Sequence, residues 1–153
     1  MTIFEEFKLS FKPQRYHKFR EESLGRTLIY QLIITVLALA VLFFNQLTKQ
    51  FLTGSANQFL NLFRGSTIYN VAGTVIYMWL GIIISALLLS SVFYGINHIK
   101  HIKTYKFKEI YNYTAHSLTI AALLSPFFGL FSALVSISVY VYAVRMERGA
   151  VKG

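Results

Sequence analysis

The residues best suited to chemistry in this sequence are its histidines. His98 and His101 stand three apart, so a helix would place both imidazoles on one face. A metal site needs further ligands, often a carboxylate or a cysteine thiolate. Glu109 and His116 are the candidates nearby, and histidines among lysines are common at a membrane edge. We therefore predict no metal site, no cofactor and no catalytic residue.

His116 is the one residue that titrates near neutral pH within 35 consecutive residues that carry no formal charge, between Glu109 and Arg145. Ionisable groups inside a membrane are functional hypotheses by default. From a helix start near Tyr105, His116 lies about 16 Å deep, where it should face the bundle and bond a Ser or Tyr hydroxyl. Tyr105, Glu109 and His116 form the candidate polar site. A structural hydrogen bond is favoured over proton transfer, and interhelical bonds in membranes average about 0.6 kcal/mol.

Residue types that most enzymes use are missing from the sequence. There is no Cys and no Asp, and the six acidic residues are all Glu. The sequence contains no G-x-S-x-G, no phosphate-binding loop and no nucleic-acid motif. These features predict a protein that is not an enzyme and does not bind nucleic acid.

Composition indicates an integral membrane protein. The chain is 55% hydrophobic and 14% charged, whereas soluble domains carry about 25% charged residues. The formal net charge is +9. Because the bases flank apolar runs, they indicate membrane topology and attraction to anionic lipids.

The spacing of charged and apolar residues predicts a single membrane domain, 1–153. Its predicted parts are an interfacial helix (1–26), span 1 (27–48), an outer connection with a short surface helix (49–66), span 2 (67–97), a basic linker (98–108), span 3 (105–125) and span 4 (129–148). In span 2, small residues spaced by four or six positions predict a close helix contact: Gly81, Ser85, Ser91 and Gly95.

The N-terminal 26 residues alternate aromatic and basic side chains at helical spacing. This pattern is typical of a helix that lies in the membrane interface, with its aromatics, including Tyr16 and Phe19, dipped into lipid. The predicted lipid-interface residues are Phe4, Phe7, Phe11, Arg15, Lys18 and Arg20. The alternative is that this segment packs on the bundle itself.

The run between Glu109 and Arg145 would be about 52 Å long as one helix, against a hydrocarbon core of about 30 Å. A turn at Ser125–Gly129 would make it a hairpin. Thirteen Lys and Arg would then lie on one side of the membrane and two on the other, as the positive-inside rule favours. We predict an all-α bundle of four spans with both termini cytoplasmic. The alternative is three spans with a kink at Pro126.

The chain resembles a family of small bacterial membrane proteins described as domain of unknown function 1189. Some of its members are labelled maltodextrin-utilisation proteins, and the family is distantly similar to the Yip family of four- or five-span membrane proteins. The likeness is carried by Phe7-x-x-Ser10-Phe11-x-Pro13, Tyr16-x-x-Phe19-Arg20, Leu24-Gly25-Arg26-Thr27-x-x-Tyr30, Tyr105-Lys106-x-x-Glu109-Ile110, Ala115-His116-Ser117-Leu118-Thr119 and Pro126. The family usually has a large extracytoplasmic region where this chain has only residues 45–66. The resemblance implies a helical fold in the bacterial cytoplasmic membrane.

Two functions are compatible with these features. The first is a non-enzymatic membrane protein that acts through contacts with anionic lipids or other membrane proteins, as an accessory to a complex such as a carbohydrate transporter. The alternative is a small transporter or channel subunit that forms homo-oligomers. Polar residues along one face of several spans would favour the alternative, but the serines of this chain suit helix packing equally well.

The charge pattern makes a testable prediction about topology. A reporter active only in the cytoplasm, fused after Gly153, should be active. Both termini are predicted to lie on the side of the membrane that carries most Lys and Arg, and the positive-inside rule assigns that side to the cytoplasm. Activity from a reporter that works only outside the cell would instead require an odd number of spans.

Overall fold

The computed structural model describes residues 2–55, 68–99, 105–129 and 131–151. Every regular element in these ranges is helical, which confirms the all-α prediction. The elements are α1 (Ile3–Ser10), a 3-10 helix (Pro13–Phe19), α2 (Leu24–Leu52), α3 (Ile68–Ile99), α4 (Phe107–Phe128) and α5 (Phe131–Val151). Two helices, Leu24–Leu52 and Ile68–His98, are long and apolar enough to cross a membrane. The apolar part of α5, Phe131–Met146, is shorter.

Helix α4 is the central element, although it is not the most apolar one. It contacts α1, the 3-10 helix, α2, α3 and α5. Seven consecutive residues, 111–117, are buried, and most of them are polar. Buried polar groups need hydrogen-bond partners, so the neighbouring elements are arranged around the polar side chains of α4.

The N-terminal segment packs on the bundle. Helix α1 begins with a capping box between Thr2 and Glu5 and ends before Pro13, whose ring cannot continue a helix. Tyr16 and Phe19 are 1% and 0% exposed, and the Tyr16 hydroxyl donates to the Ser10 carbonyl at 2.7 Å. The expectation that these two aromatics dip into lipid is wrong, because their rings fill the core instead.

Parts of the chain between the long helices lie outside the described residues. Helix α2 continues to Leu52, four residues beyond the predicted end of span 1, and Gly54 follows with a φ of 75°. The surface helix expected between 56 and 66 falls outside the described residues. So do most of the basic linker and His101.

The closing stretch is two helices, so the alternative of one kinked helix is wrong. Helices α4 and α5 pack against each other on either side of Gly129, and the Ser117 and Ser136 hydroxyl oxygens are 3.0 Å apart. Pro126 lies inside the last turn of α4 and does not end it. Since Pro126 has no N–H to offer the Ala122 carbonyl, the Ser125 hydroxyl donates to that carbonyl instead, at 3.0 Å.

The close helix contact predicted for the small residues of span 2 is not present. A Cβ added at Gly81 or Gly95 would meet no atom within 4 Å. Gly81 and Ser85 instead line an open groove of about 580 Å³ between α3, α4 and α5. The small side chains leave this groove unfilled.

Gly129 makes the reversal between α4 and α5 possible. Its φ of 54° and ψ of −128° form a combination that residues with a Cβ avoid. We expect Gly129→Ala to lower the free energy of unfolding by on the order of 1–3 kcal/mol, measured by thermal or denaturant unfolding in detergent. The matched control is Gly73→Ala, in an exposed part of α3 where a Cβ meets nothing within 4 Å. Equal effects of the two changes would contradict the role given to Gly129.

Candidate functional site

His116 lies at the centre of a buried polar cluster. It is fully buried, and its Nε2 is 3.1 Å from Glu22 Oε2. Its Nδ1 is 3.0 Å from the Ser10 hydroxyl oxygen, so it does bond a hydroxyl group, one that belongs to α1. The Phe19 ring stacks on the imidazole with centroids 3.6 Å apart and planes 6° from parallel. The imidazole therefore joins α1, the 3-10 helix and the start of α2 to α4.

Two carboxyl groups and one guanidinium complete the cluster. Glu6 is 0% and Glu22 is 9% exposed. Arg26 Nε forms an ion pair with Glu6 Oε1 and lies 3.8 Å from Glu22 Oε1. Burial raises the pKa of both carboxyl groups above the ordinary value of 4.5, although the bond to Arg26 opposes this for Glu6. Both carboxyl groups of the cluster therefore bind a proton more readily than an exposed glutamate does.

Asn112 holds the backbone that carries Glu22. Its side-chain amide donates to the carbonyls of Phe19 and Glu22, each at 3.0 Å. Its own carbonyl accepts from the Thr27 hydroxyl at 2.9 Å. Because Ser23 caps α2 by accepting from the Arg26 N–H, Glu22 and Arg26 lie on either side of a fixed helix start. Their side chains are therefore positioned by backbone bonds as well as by each other.

A chain of hydrogen bonds leads from the cluster further along α4. The Ser10 hydroxyl oxygen is 2.7 Å from the Tyr30 hydroxyl, which is 2.9 Å from Thr119 Oγ1. At the other end, Glu22 and Arg26 line an open groove of about 850 Å³. The cluster is therefore connected at one side to the protein surface and at the other to the interior of the bundle.

Tyr105 and Glu109 lie apart from His116, around Arg20. The Arg20 Nε donates to Glu109 Oε1 at 2.9 Å, and its guanidinium lies 5.6 Å from the centroid of the Tyr105 ring. Glu109 also accepts from the Lys106 N–H at 2.9 Å. This second site fastens the end of the 3-10 helix to the start of α4. Within the described ranges, no group of three or more His, Asp or Glu side chains is arranged to hold a metal ion.

The predicted lipid-interface residues have mixed surroundings. Phe4 is 64% and Phe11 46% exposed, and Phe7 is half-buried against Phe11. Arg15 and Lys18 are exposed and line the same groove as Glu22. Arg20 is engaged with Glu109. The exposed aromatics and bases thus lie on the outer side of a segment whose inner side is docked.

Sequence patterns do not identify five members of the site: Glu6, Ser10, Glu22, Arg26 and Tyr30. The available signal was that a lone histidine in an apolar helix needs a polar partner from another element. Glu6, Leu9 and Ser10 also recur at helical spacing, on the inner face of α1. Nothing in the spacing, however, identified which acidic residue would reach His116.

No protein-family model, curated protein or solved structure matches this chain.

The cluster geometry predicts a larger effect of His116 than a typical interhelical bond in a membrane. We expect His116→Leu to lower the free energy of unfolding by about 1.5–3 kcal/mol, because it removes a hydrogen bond to a buried acid. Ser138→Ala is the control, since that exposed hydroxyl bonds only the Leu134 carbonyl of its own helix, at 2.8 Å. Unfolding in detergent measures both. A loss of about 0.6 kcal/mol or less for His116→Leu would mean that the bond to Glu22 adds little.

Proposed function

We propose that this protein is a non-enzymatic, multi-pass protein of the bacterial cytoplasmic membrane that acts through contacts with other membrane proteins and with anionic lipids. It crosses the membrane four times, with both termini in the cytoplasm. Because some members of the family that the chain resembles are labelled maltodextrin-utilisation proteins, we propose that it serves as an accessory to a larger assembly such as a carbohydrate transporter.

One observation carries this proposal: large apolar side chains of α3 face outward, whereas most polar side chains of α4 face inward. On α3, the side chains of Ile76, Ile84, Leu88 and Val92 are each more than half exposed. The polar side chains of α4 instead bond partners on other helices, as Tyr111 does with Gln31 at 2.9 Å. An apolar exterior favours lipid as the solvent, and internally bonded polar groups favour packing over a water-filled path.

Two contacts support four crossings with both termini on one side. Arg20, just before α2, pairs with Glu109 at the start of α4. Asn45, near the end of α2, donates to the Pro126 carbonyl near the end of α4 at 2.9 Å. Helices α2 and α4 therefore run in the same direction, and α5 returns along α4. The distribution of Lys and Arg favours the cytoplasm for the shared end.

The groove between α3, α4 and α5 is a suitable contact surface. It is lined by small or apolar side chains, which allow close approach of another helix or of an acyl chain. The residues that line it include Gly81, Ser85, Leu88, Ala121, Ala122, Ser132 and Ala133.

A transporter or channel subunit is the second candidate. The observation that favours it is the hydrogen-bonded series from Glu22 through His116, Ser10 and Tyr30 to Thr119. Such a series can relay protons, although its described part stops inside the bundle.

Photocrosslinking in native membranes tests the leading proposal. A photoreactive residue at Leu88, which lines the groove and is 65% exposed, should crosslink to a second membrane protein. The matched control is the same residue at Tyr77, which is on the same helix, is 80% exposed and does not line the groove. It should label lipid only.

Vesicles that contain the purified protein separate the two candidates. We expect no ion or proton flux above that of empty vesicles. Flux that disappears in Tyr30→Phe would support the transporter. Identical labelling at Leu88 and Tyr77, with no partner protein, would contradict the leading proposal.

A further inference from the structure

We propose that Glu6 and Glu22 form a proton-binding site in which one proton is shared between the two carboxyl groups, and that this proton fastens the N-terminal segment to the bundle. The N-terminal segment here means α1 and the 3-10 helix. This inference goes beyond the proposed function and does not depend on it.

A shared proton balances the charge of the buried cluster. Among the described residues, the charged and titratable groups within it are Glu6 from α1, Glu22 before α2, Arg26 and Tyr30 from α2, and His116 from α4. Six more charged side chains line the open groove beside Glu22, and because they are exposed, water screens their charges: Glu5, Lys8, Lys12, Arg15, Lys18 and Glu21. With both carboxyl groups ionised and a neutral imidazole, the cluster would carry one net negative charge. An uncompensated buried charge is costly enough that a group binds a proton instead. One added proton makes the cluster neutral.

One oxygen of each carboxyl group lacks a hydrogen-bond partner. Glu6 Oε2 and Glu22 Oε1 are both buried, and neither accepts a hydrogen bond. The two carboxyl groups are neighbours, because Arg26 Nε pairs with Glu6 Oε1 and lies 3.8 Å from Glu22 Oε1, but two ionised carboxylates can only accept. A proton between them satisfies both oxygens at once. His116 Nε2–H then donates to the other oxygen of Glu22, and His116 Nδ1 lies 3.0 Å from the Ser10 hydroxyl, which also donates to the Glu6 carbonyl.

The site is accessible to water and is connected to the docked N-terminal segment. Glu22 and Arg26 line an open groove, through which water can deliver the proton. Glu6 belongs to α1, whose Ser10 is bonded to His116 and Tyr30. Releasing the proton leaves a buried negative charge between α1 and the bundle, which opposes docking.

The direction of the pH effect follows from the acids. Burial raises the pKa of Glu6 and Glu22 above 4.5, so the docked state binds the proton more tightly than the released state. Docking is therefore strongest below about pH 4.5 and weakens as the pH rises through the docked-state pKa. Each unit by which docking raises the pKa corresponds to about a tenfold change in the docking equilibrium.

Infrared spectroscopy of the purified full-length protein tests whether the proton is present. The chain has six Glu and no Asp, so its carboxyl spectrum is simple. We expect a protonated-carboxyl band that persists at pH values above the ordinary glutamate pKa of 4.5 and is lost in both Glu6→Gln and Glu22→Gln, because one acid beside Arg26 is already neutralised. Glu21→Gln, at the exposed neighbouring position, should keep the band. Absence of the band in the wild type, or an imidazolium signal from His116 instead, would overturn the site.

Cysteine labelling tests whether the proton fastens the segment. Because the chain has no Cys, Leu9→Cys introduces a single thiol at a position that is 8% exposed when α1 is docked. Phe11→Cys, at a position 46% exposed, gives the intrinsic thiol reactivity at each pH. The ratio of the two labelling rates should rise with pH, about tenfold per unit of raised pKa. In a Glu22→Gln background it should not change with pH.

A labelling ratio that is constant with pH in the wild-type background would overturn the fastening role. If Glu22→Gln does not fold, Glu6→Gln serves as the background, and the infrared band of the wild type is measured without any variant.

Discussion

The structure depends on the two hydrogen bonds that His116 makes, one with Ser10 of α1 and one with Glu22 just before α2. A polar helix cannot occupy the centre of an apolar bundle unless its side chains find partners. Helix α4 finds them in α1, in the residues before α2, in α2 itself and in α5. The imidazole reaches two of these elements at once, and Phe19 covers its face. The N-terminal segment is therefore part of the core rather than an appendage on the lipid surface.

Much of the architecture was predictable because it follows from hydrophobicity and from charge. The all-helical fold and the two long apolar helices come from uninterrupted runs without formal charge. The helix break near Gly129 was predictable because a glycine lies next to an apolar run. The helix nevertheless continued through Pro126, because Ser125 and Asn45 bond the carbonyls around it.

The candidate site was less predictable, for a physical reason. His116 stood out because it was alone, whereas Glu6 and Glu22 each have a second acid beside them and look like ordinary surface residues. Their burial depends on contacts between residues about a hundred positions apart, which local periodicity does not encode. The aromatic and basic pattern of residues 1–26 is compatible both with a helix on a membrane surface and with a helix packed in a protein core. Only the tertiary contacts distinguish these two structures.

The distance along the chain between Glu22 and His116 has a consequence for the order of assembly. The two residues are 94 positions apart, so at about 5–20 residues per second roughly 5–20 s of synthesis separate them. Until α4 is made, Ser10 and Glu22 lack the imidazole that joins them, so α1 and the 3-10 helix cannot reach their final packing. The contacts that hold the N-terminal residues to the bundle therefore form only after most of the chain has been synthesised.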